Sequence, residues 1–249
     1  MAKTDGGPVT IDPLTGVPLL LEGYSDDTLL GSGTGFVIRA GDDHYVVTNW
    51  HVVSGRDPST GQPLSPTGGI PNRLAVWHHL KSKLGTWSER SIALDPSPWL
   101  EHPVLGHRAD VVAIPLHPDD DVQLYPLDLS LADADMIVSP SEPLSIIGFP
   151  FGLSSGGRFP IWKTGHLASD LDLNYNDLPV LLIDATTRSG MSGSPVVARR
   201  QGMIRTSKGF TMGTGSTDRF LGVYSGRIHD QADVGMVWKP EVLTEILKA

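Results

Sequence analysis

Gly190-Met191-Ser192-Gly193-Ser194-Pro195 is the stretch that decides how this chain folds, because two upstream segments complete it. A serine hydroxyl is a poor nucleophile until a neighbouring base takes its proton. Glycine on both sides of Ser192 lets the backbone turn tightly enough to expose that hydroxyl. It also lets the N–H groups of Gly190 and Ser192 face a developing oxyanion. Ser189 and Ser194 share the turn, but Ser192 alone has glycine at both −2 and +1. Upstream, YVVTNWHVV (45–53) supplies His51 and ADVVAIPL (109–116) supplies Asp110, both beside strand-like apolar runs. The order is base, orienting acid, nucleophile, and every member is flanked by strand rather than helix patterning.

Nine histidines compete for the role of base. His51 is preferred because it ends the strand signal Tyr45–Thr48, where a barrel rim would aim its ring into a cleft. The ring's Nδ1–H needs a buried acceptor to hold the tautomer. Asp110 is the best candidate, directly preceding an apolar strand, and Asp95, Asp128 and Asp184 are its rivals.

The remaining chain is a series of short apolar segments separated by turns, consistent with its 28 Gly and 20 Pro. Candidate strands lie at 35–38, 45–48, 74–77 and 111–114, and again at 144–148, 180–183, 195–198, 220–223 and 234–237. Helical periodicity emerges only after Pro240, where Val242, Leu243, Ile246 and Leu247 share a face. The expected architecture is all-β, two barrels and a C-terminal helix. Its divisions are an N-terminal extension (1–25), a first barrel (26–124), a linker (125–143), a second barrel (144–238) and the helix (239–249). Residues 54–72 read as a long surface loop, and 199–219 as an extended hairpin or mobile loop.

Composition narrows the function. A net charge of −9 argues against a nucleic-acid partner. No apolar run approaches the ~18 residues of a membrane helix, so no membrane partner is expected. The opening MAKTDGGPVTIDP lacks the apolar core of a secretory leader, and the chain has no cysteine. Both favour a cytoplasmic setting, with secretion left open. No cofactor or metal is expected. GSGTG (31–35) lacks the last glycine of a dinucleotide loop and runs into a strand. Asp170, Asp172 and Asn174 open like a calcium loop, but Tyr175 and Leu181 stand where the turn glycine and closing carboxylate belong. His78-His79 has no companion ligand at a convincing spacing.

The chain resembles trypsin-like, chymotrypsin-fold serine proteases, in particular the cysteine-free bacterial HtrA type. The matching segments are GSGTGFVI (31–38), YVVTNWHVV (45–53), ADVVAIPL (109–116), IGFPFGL (147–153), LLIDATTRSGMSGSPVV (181–197), FLGVYSG (220–226) and VGMVWKPEVLTEIL (234–247). The resemblance implies two six-stranded antiparallel β-barrels with His51, Asp110 and Ser192 as the triad in their cleft. It implies a serine endopeptidase acting through an acyl-enzyme on extended or unfolded polypeptide. Thr186, Thr187 and Arg188 would floor the pocket for the side chain before the scissile bond, with Gly226 and Gly235 as walls. The backbone of Tyr224, Ser225 and Gly226 would pair with substrate as an added strand. No carboxylate lies on that floor, so Lys or Arg preference is not expected; small aliphatic and acidic side chains both fit, the aliphatic better. The SGSP ending also resembles glutamyl endopeptidases, with Tyr224 in place of their histidine. Met191 stands where digestive trypsins carry an aspartate, which leaves activation by N-terminal cleavage without a partner. Two alternatives are a protease fold that binds without turnover and an esterase-type hydrolase. The latter needs its serine before its acid and histidine, and only His229 follows Ser192.

Overall fold

The computed structural model describes residues 10–229 and 231–248. Among the described residues, fourteen strands fall into two antiparallel sheets. The first contains β1 (Pro18–Ser25), β2 (Thr28–Ala40), β3 (Asp43–Thr48), β4 (Arg73–Leu80), β5 (Trp87–Ala93), β6 (Leu100–Glu101), β7 (Val112–Leu116) and β8 (Val122–Gln123). They pair in the order β5-β4-β1-β2-β3-β7-β6, with β8 on β4. The second contains β9 (Pro143–Gly148), β10 (Ile161–Leu167), β11 (Val180–Asp184), β12 (Pro195–Thr206), β13 (Gly209–Arg227) and β14 (Val234–Trp238). These close into a barrel, β10-β11-β14-β13-β12-β9.

The expected count of six strands therefore describes the second barrel, while the first sheet has eight and two unpaired edges. The extra members include two-residue strands, β6 and β8, too short to leave a periodic signal. The boundary at residue 25 also moves. Pro18–Ser25 is β1, paired along its length with β2 and through Leu21↔Val76 with β4. Its Leu19 and Leu21 are buried in the first core. The run Leu19-Leu20-Leu21 is buried throughout and lacks the alternation of a half-exposed strand, which is why pairing rather than pattern reveals it.

Strands β2, β3, β7, β9 and β12 carry unbroken apolar runs because both of their faces are covered. Val37, Val46, Val112 and Ile114 fill the first sheet's interior. Their neighbours Phe36, Ile38, Val47 and Ala113 point the other way, into a core shared with the second half. Ile147, Val197, Phe220 and Trp238 meet them there. The rings of Phe36 and Phe220 pack edge to face at 6.0 Å. Two short α-helices occur among the described residues, α1 (Trp50–Ser54) just after β3 and α2 (Glu241–Ile246) after β14. Helix α2 buries Val242, Leu243 and Ile246 against the shared core, as its periodicity predicts. Its Glu245 Oε2 lies 2.7 Å from His102 Nε2 of the first half. One continuous apolar seam thus fixes the two halves against each other, and the cleft between them inherits that rigidity.

Residues 199–219 form the outer part of the β12–β13 hairpin, with Met203 opposite Met212 and Thr206 opposite Gly209. Among the described residues no helix is long and apolar enough to cross a membrane.

Candidate active site

His51 lies not at a strand end but in α1, a single helical turn. Asn49 precedes that helix and is fully buried; its Nδ2 donates to the Asp110 carbonyl at 2.7 Å. The side chain of Asp110 answers in the other direction. Its Oδ1 accepts the His51 backbone N–H at 3.0 Å, and its Oδ2 lies 2.8 Å from His51 Nδ1. Ser225 Oγ donates to the same Oδ2. Three donors therefore converge on one carboxylate that is almost completely buried, which an acceptor-only group requires. Asp110 sits at φ +42°, a conformation in which an aspartate is tolerated better than most residues. Burial of the His51 ring disfavours its charged form, but the Asp110 charge and hydrogen bond outweigh burial and raise its pKa above the ordinary imidazole value.

The Ser192 turn is built from both halves. Gly190 and Gly193 stand at φ +89° and +86°. A Cβ on Gly190 would lie 2.3 Å from the Phe149 carbonyl oxygen, and one on Gly193 would lie 1.9 Å from that of Thr34. No side chain fits at either position. Thr34 of β2 is the first half's grip on this turn. Its N–H donates to the Ser192 carbonyl at 2.8 Å, and its hydroxyl donates to the Gly190 carbonyl at 2.8 Å. The same hydroxyl accepts from Phe149 N–H at 3.1 Å. Phe151 N–H binds the Ser189 carbonyl at 2.6 Å, and Gly193 N–H binds that of Tyr224 at 2.8 Å. With these carbonyls turned inward, the N–H groups of Gly190 and Ser192 have no acceptor among the described residues.

Ser192 Oγ donates to the Ser225 carbonyl at 3.3 Å and not to His51. Ser192, Gly190 and His51 nevertheless line one cleft of about 300 Å³. Of the rival serines, Ser194 Oγ is buried without a partner among the described residues and does not line the cleft, whereas Ser189 does. Met191 is fully buried in the second barrel's apolar core, an environment in which an aspartate would need a charged partner.

The family model of the trypsin-like peptidase domain matches residues 33–204, more than half of the chain and all three of these residues. The chain belongs to the trypsin-like peptidase family. It is accordingly a serine protease by family. The Rv3671c protease from M. tuberculosis in its active form shares its fold, with a TM-score of 0.52 and 19% identity over 94% of this chain and 80% of that one. A serine endoprotease from Yersinia pestis aligns with a TM-score of 0.55 and 12% identity, over 97% of this chain and 67% of that one. No curated protein sequence gives a significant match.

Around the turn of this trypsin-like peptidase, the expected substrate residues divide. Thr186 and Arg188 are exposed, and Arg188 Nη1 donates to the Thr187 carbonyl at 2.7 Å. Thr187 is buried with its hydroxyl bonded to the phenol of Tyr224, itself almost fully buried. Burial pushes the Tyr224 pKa up, against the Thr187 hydrogen bond. Gly235 has no side chain because the Tyr224 ring occupies the space: a Cβ there would lie 2.6 Å from Cε2. The space between Thr187 and Gly235, two of the residues expected to shape the pocket, is thus taken by the Tyr224 ring. Gly226 remains open, with no atom within 4 Å of the point a Cβ would occupy. A register shift between Tyr224 and Gly226 makes Ser225 a bulge, whose hydroxyl turns to Asp110 while its carbonyl accepts from Ser192 Oγ. Sequence reasoning does not single out Thr34, Asn49 or the cleft wall formed by Leu30, Leu64 and Pro71; the segments GSGTGFVI and YVVTNWHVV carry a signal for Thr34 and Asn49, and none marks the wall. Among the described residues no three His, Cys, Asp or Glu side chains cluster to hold a metal.

Proposed function

We propose that the protein is a serine endopeptidase in which Ser192 is the nucleophile, His51 the general base and Asp110 the group that orients it. The observation that carries this reading is the convergence of a carboxylate-held imidazole and a glycine-flanked serine on one cleft, beside two N–H groups without acceptors among the described residues. In the reaction, Ser192 Oγ leaves the Ser225 carbonyl, passes its proton to His51 Nε2 and attacks the substrate carbonyl carbon. The oxyanion binds the N–H groups of Gly190 and Ser192, each such donor contributing ~3–4 kcal/mol to the transition state. The protonated ring then gives its proton to the departing amine nitrogen, the C–N bond breaks, and water repeats the sequence on the acyl ester. Asp110 keeps the Nδ1 proton in place throughout, so only Nε2 exchanges protons.

An extended polypeptide suits this site because the backbone at Ser225–Gly226 can pair with it as an added strand, Tyr224 being bonded through its own N–H and carbonyl to Ser194 and Gly193. The test is labelling by a fluorophosphonate probe. Wild-type protein should be labelled and Ser192→Ala should not. Equal labelling of the two would overturn the assignment, and absence of labelling in both would favour a fold that binds without turnover.

A further inference from the structure

The cleft beside Ser192 lies on one side of the nucleophile only. Its apolar walls are Leu30 of β2, Val52 of α1, and Leu64, Pro66 and Pro71 of the 55–72 loop, with Ser32, Ser65 and Ser189 lining it as uncharged polar groups. None of Thr187, Tyr224, Ser225 or Gly226 lines it. A substrate strand paired with the backbone at Ser225–Gly226 reaches Ser192 with its acyl portion. The residue after the scissile bond must then continue away from that edge, toward α1 and the 55–72 loop, which is where the cavity opens. Apart from His51, no charged side chain among the described residues lines it, so an ionised group entering would lose water without gaining a partner. Its volume of about 300 Å³ lies at the lower end of the ~300–1,000 Å³ typical of ligand sites. On the opposite side, the Tyr224 phenol bonded to Thr187 takes up the space between Thr187 and Gly235.

We propose that this protease selects its substrate on the leaving-group side, through an apolar pocket that takes an aliphatic side chain immediately after the scissile bond. The proposal rests on Ser192 as nucleophile and adds the residue class that the released fragment carries at its new N-terminus. The 55–72 loop is then a specificity loop: Leu64, half exposed in the free protein, becomes covered when the pocket fills.

Acyl transfer isolates this side from the other. The acyl-enzyme is loaded from a blocked amino-acid p-nitrophenyl ester, and an amino-acid amide competes with water for it. The amine nitrogen attacks the ester carbonyl carbon and loses a proton to His51. Ser192 Oγ leaves and recovers that proton, and a new peptide bond results without any redox change. Leucine amide should capture the acyl group about 10- to 100-fold better than glycine amide, the discrimination an apolar pocket provides. The α-amide of aspartate should capture it no better than glycine amide. Leu64→Asp, at a surface position that leaves the core untouched, should bring leucine and glycine amides within about threefold of each other. Normal nitrophenol release with equal capture of leucine and glycine amides would overturn the pocket alone. An unchanged preference in Leu64→Asp would also overturn it. Absence of both nitrophenol release and fluorophosphonate labelling would overturn the nucleophile assignment, and this proposal with it.

Discussion

Replacing Thr34 by valine isolates what the first half contributes to the oxyanion turn. Valine keeps the shape and the burial but removes the hydroxyl, which donates to the Gly190 carbonyl at 2.8 Å and accepts from Phe149 N–H at 3.1 Å. Thr34 is completely buried, so water cannot replace either bond. Two lost hydrogen bonds at ~1 kcal/mol each, with the Phe149 donor left orphaned, give a destabilisation of ~3 kcal/mol. For a chain of this size that lowers Tm by ~6–12 °C. The catalytic effect is separable. The Thr34 N–H still holds the Ser192 carbonyl, so the nucleophile stays in place while the Gly190 peptide loses one anchor. An anchor worth ~1 kcal/mol that stops holding the oxyanion donor lowers kcat about fivefold, against ~10²–10³ for complete loss of a donor. Because the donor acts in the transition state, kcat and kcat/KM should fall together with KM unchanged. Thr34→Ser, which restores the hydroxyl, should recover most of kcat. Denaturation and steady-state peptide hydrolysis on the three proteins provide the readout. A Thr34→Val protein with wild-type Tm and wild-type kcat would refute the coupling between β2 and the turn.

Asp110→Asn should lower kcat by roughly 10⁴ at neutral pH, because an amide cannot hold the Nδ1 proton as the carboxylate does; a rate within about tenfold of wild type would mean another group orients His51. The pH profile of kcat/KM should rise as His51 loses its proton, with an inflection above the ordinary imidazole value, since the Asp110 charge outweighs burial. The same raised pKa has a stability sign: the stabilisation is fully present below the unfolded-state value and is lost as pH rises through the folded one. An inflection below the ordinary value would show that burial, not Asp110, dominates the ring.

The backbone geometry of the turn is legible in sequence because it rests on local covalent facts. Gly190 and Gly193 are glycines because their φ values and the adjacent Phe149 and Thr34 carbonyls leave no room for a Cβ, and that requirement is written in the motif itself. Strand runs such as Phe36-Val37-Ile38 are legible for a similar reason: both faces are buried, so the apolar residues are continuous. β1 escapes sequence reading because its identity depends on partners that come later in the chain, including Val76 of β4. The helical setting of His51 escapes it too, because one turn is too short to show a period of 3.6.

The all-β class, the order His51, Asp110, Ser192, and a serine turn whose neighbour Met191 offers no carboxylate can all be read from the linear chain. The other features arise only on folding, because each needs groups distant in the chain. Ser225 reaches Asp110 only through a bulge in β13, across 115 positions of sequence. Tyr224 packs beside the Ser192 turn only because Gly235 on the next strand makes room and Thr187 caps its hydroxyl. The open cleft, formed where the 55–72 loop comes back over α1 and β2, is a property of packing, and no local pattern of residues encodes it.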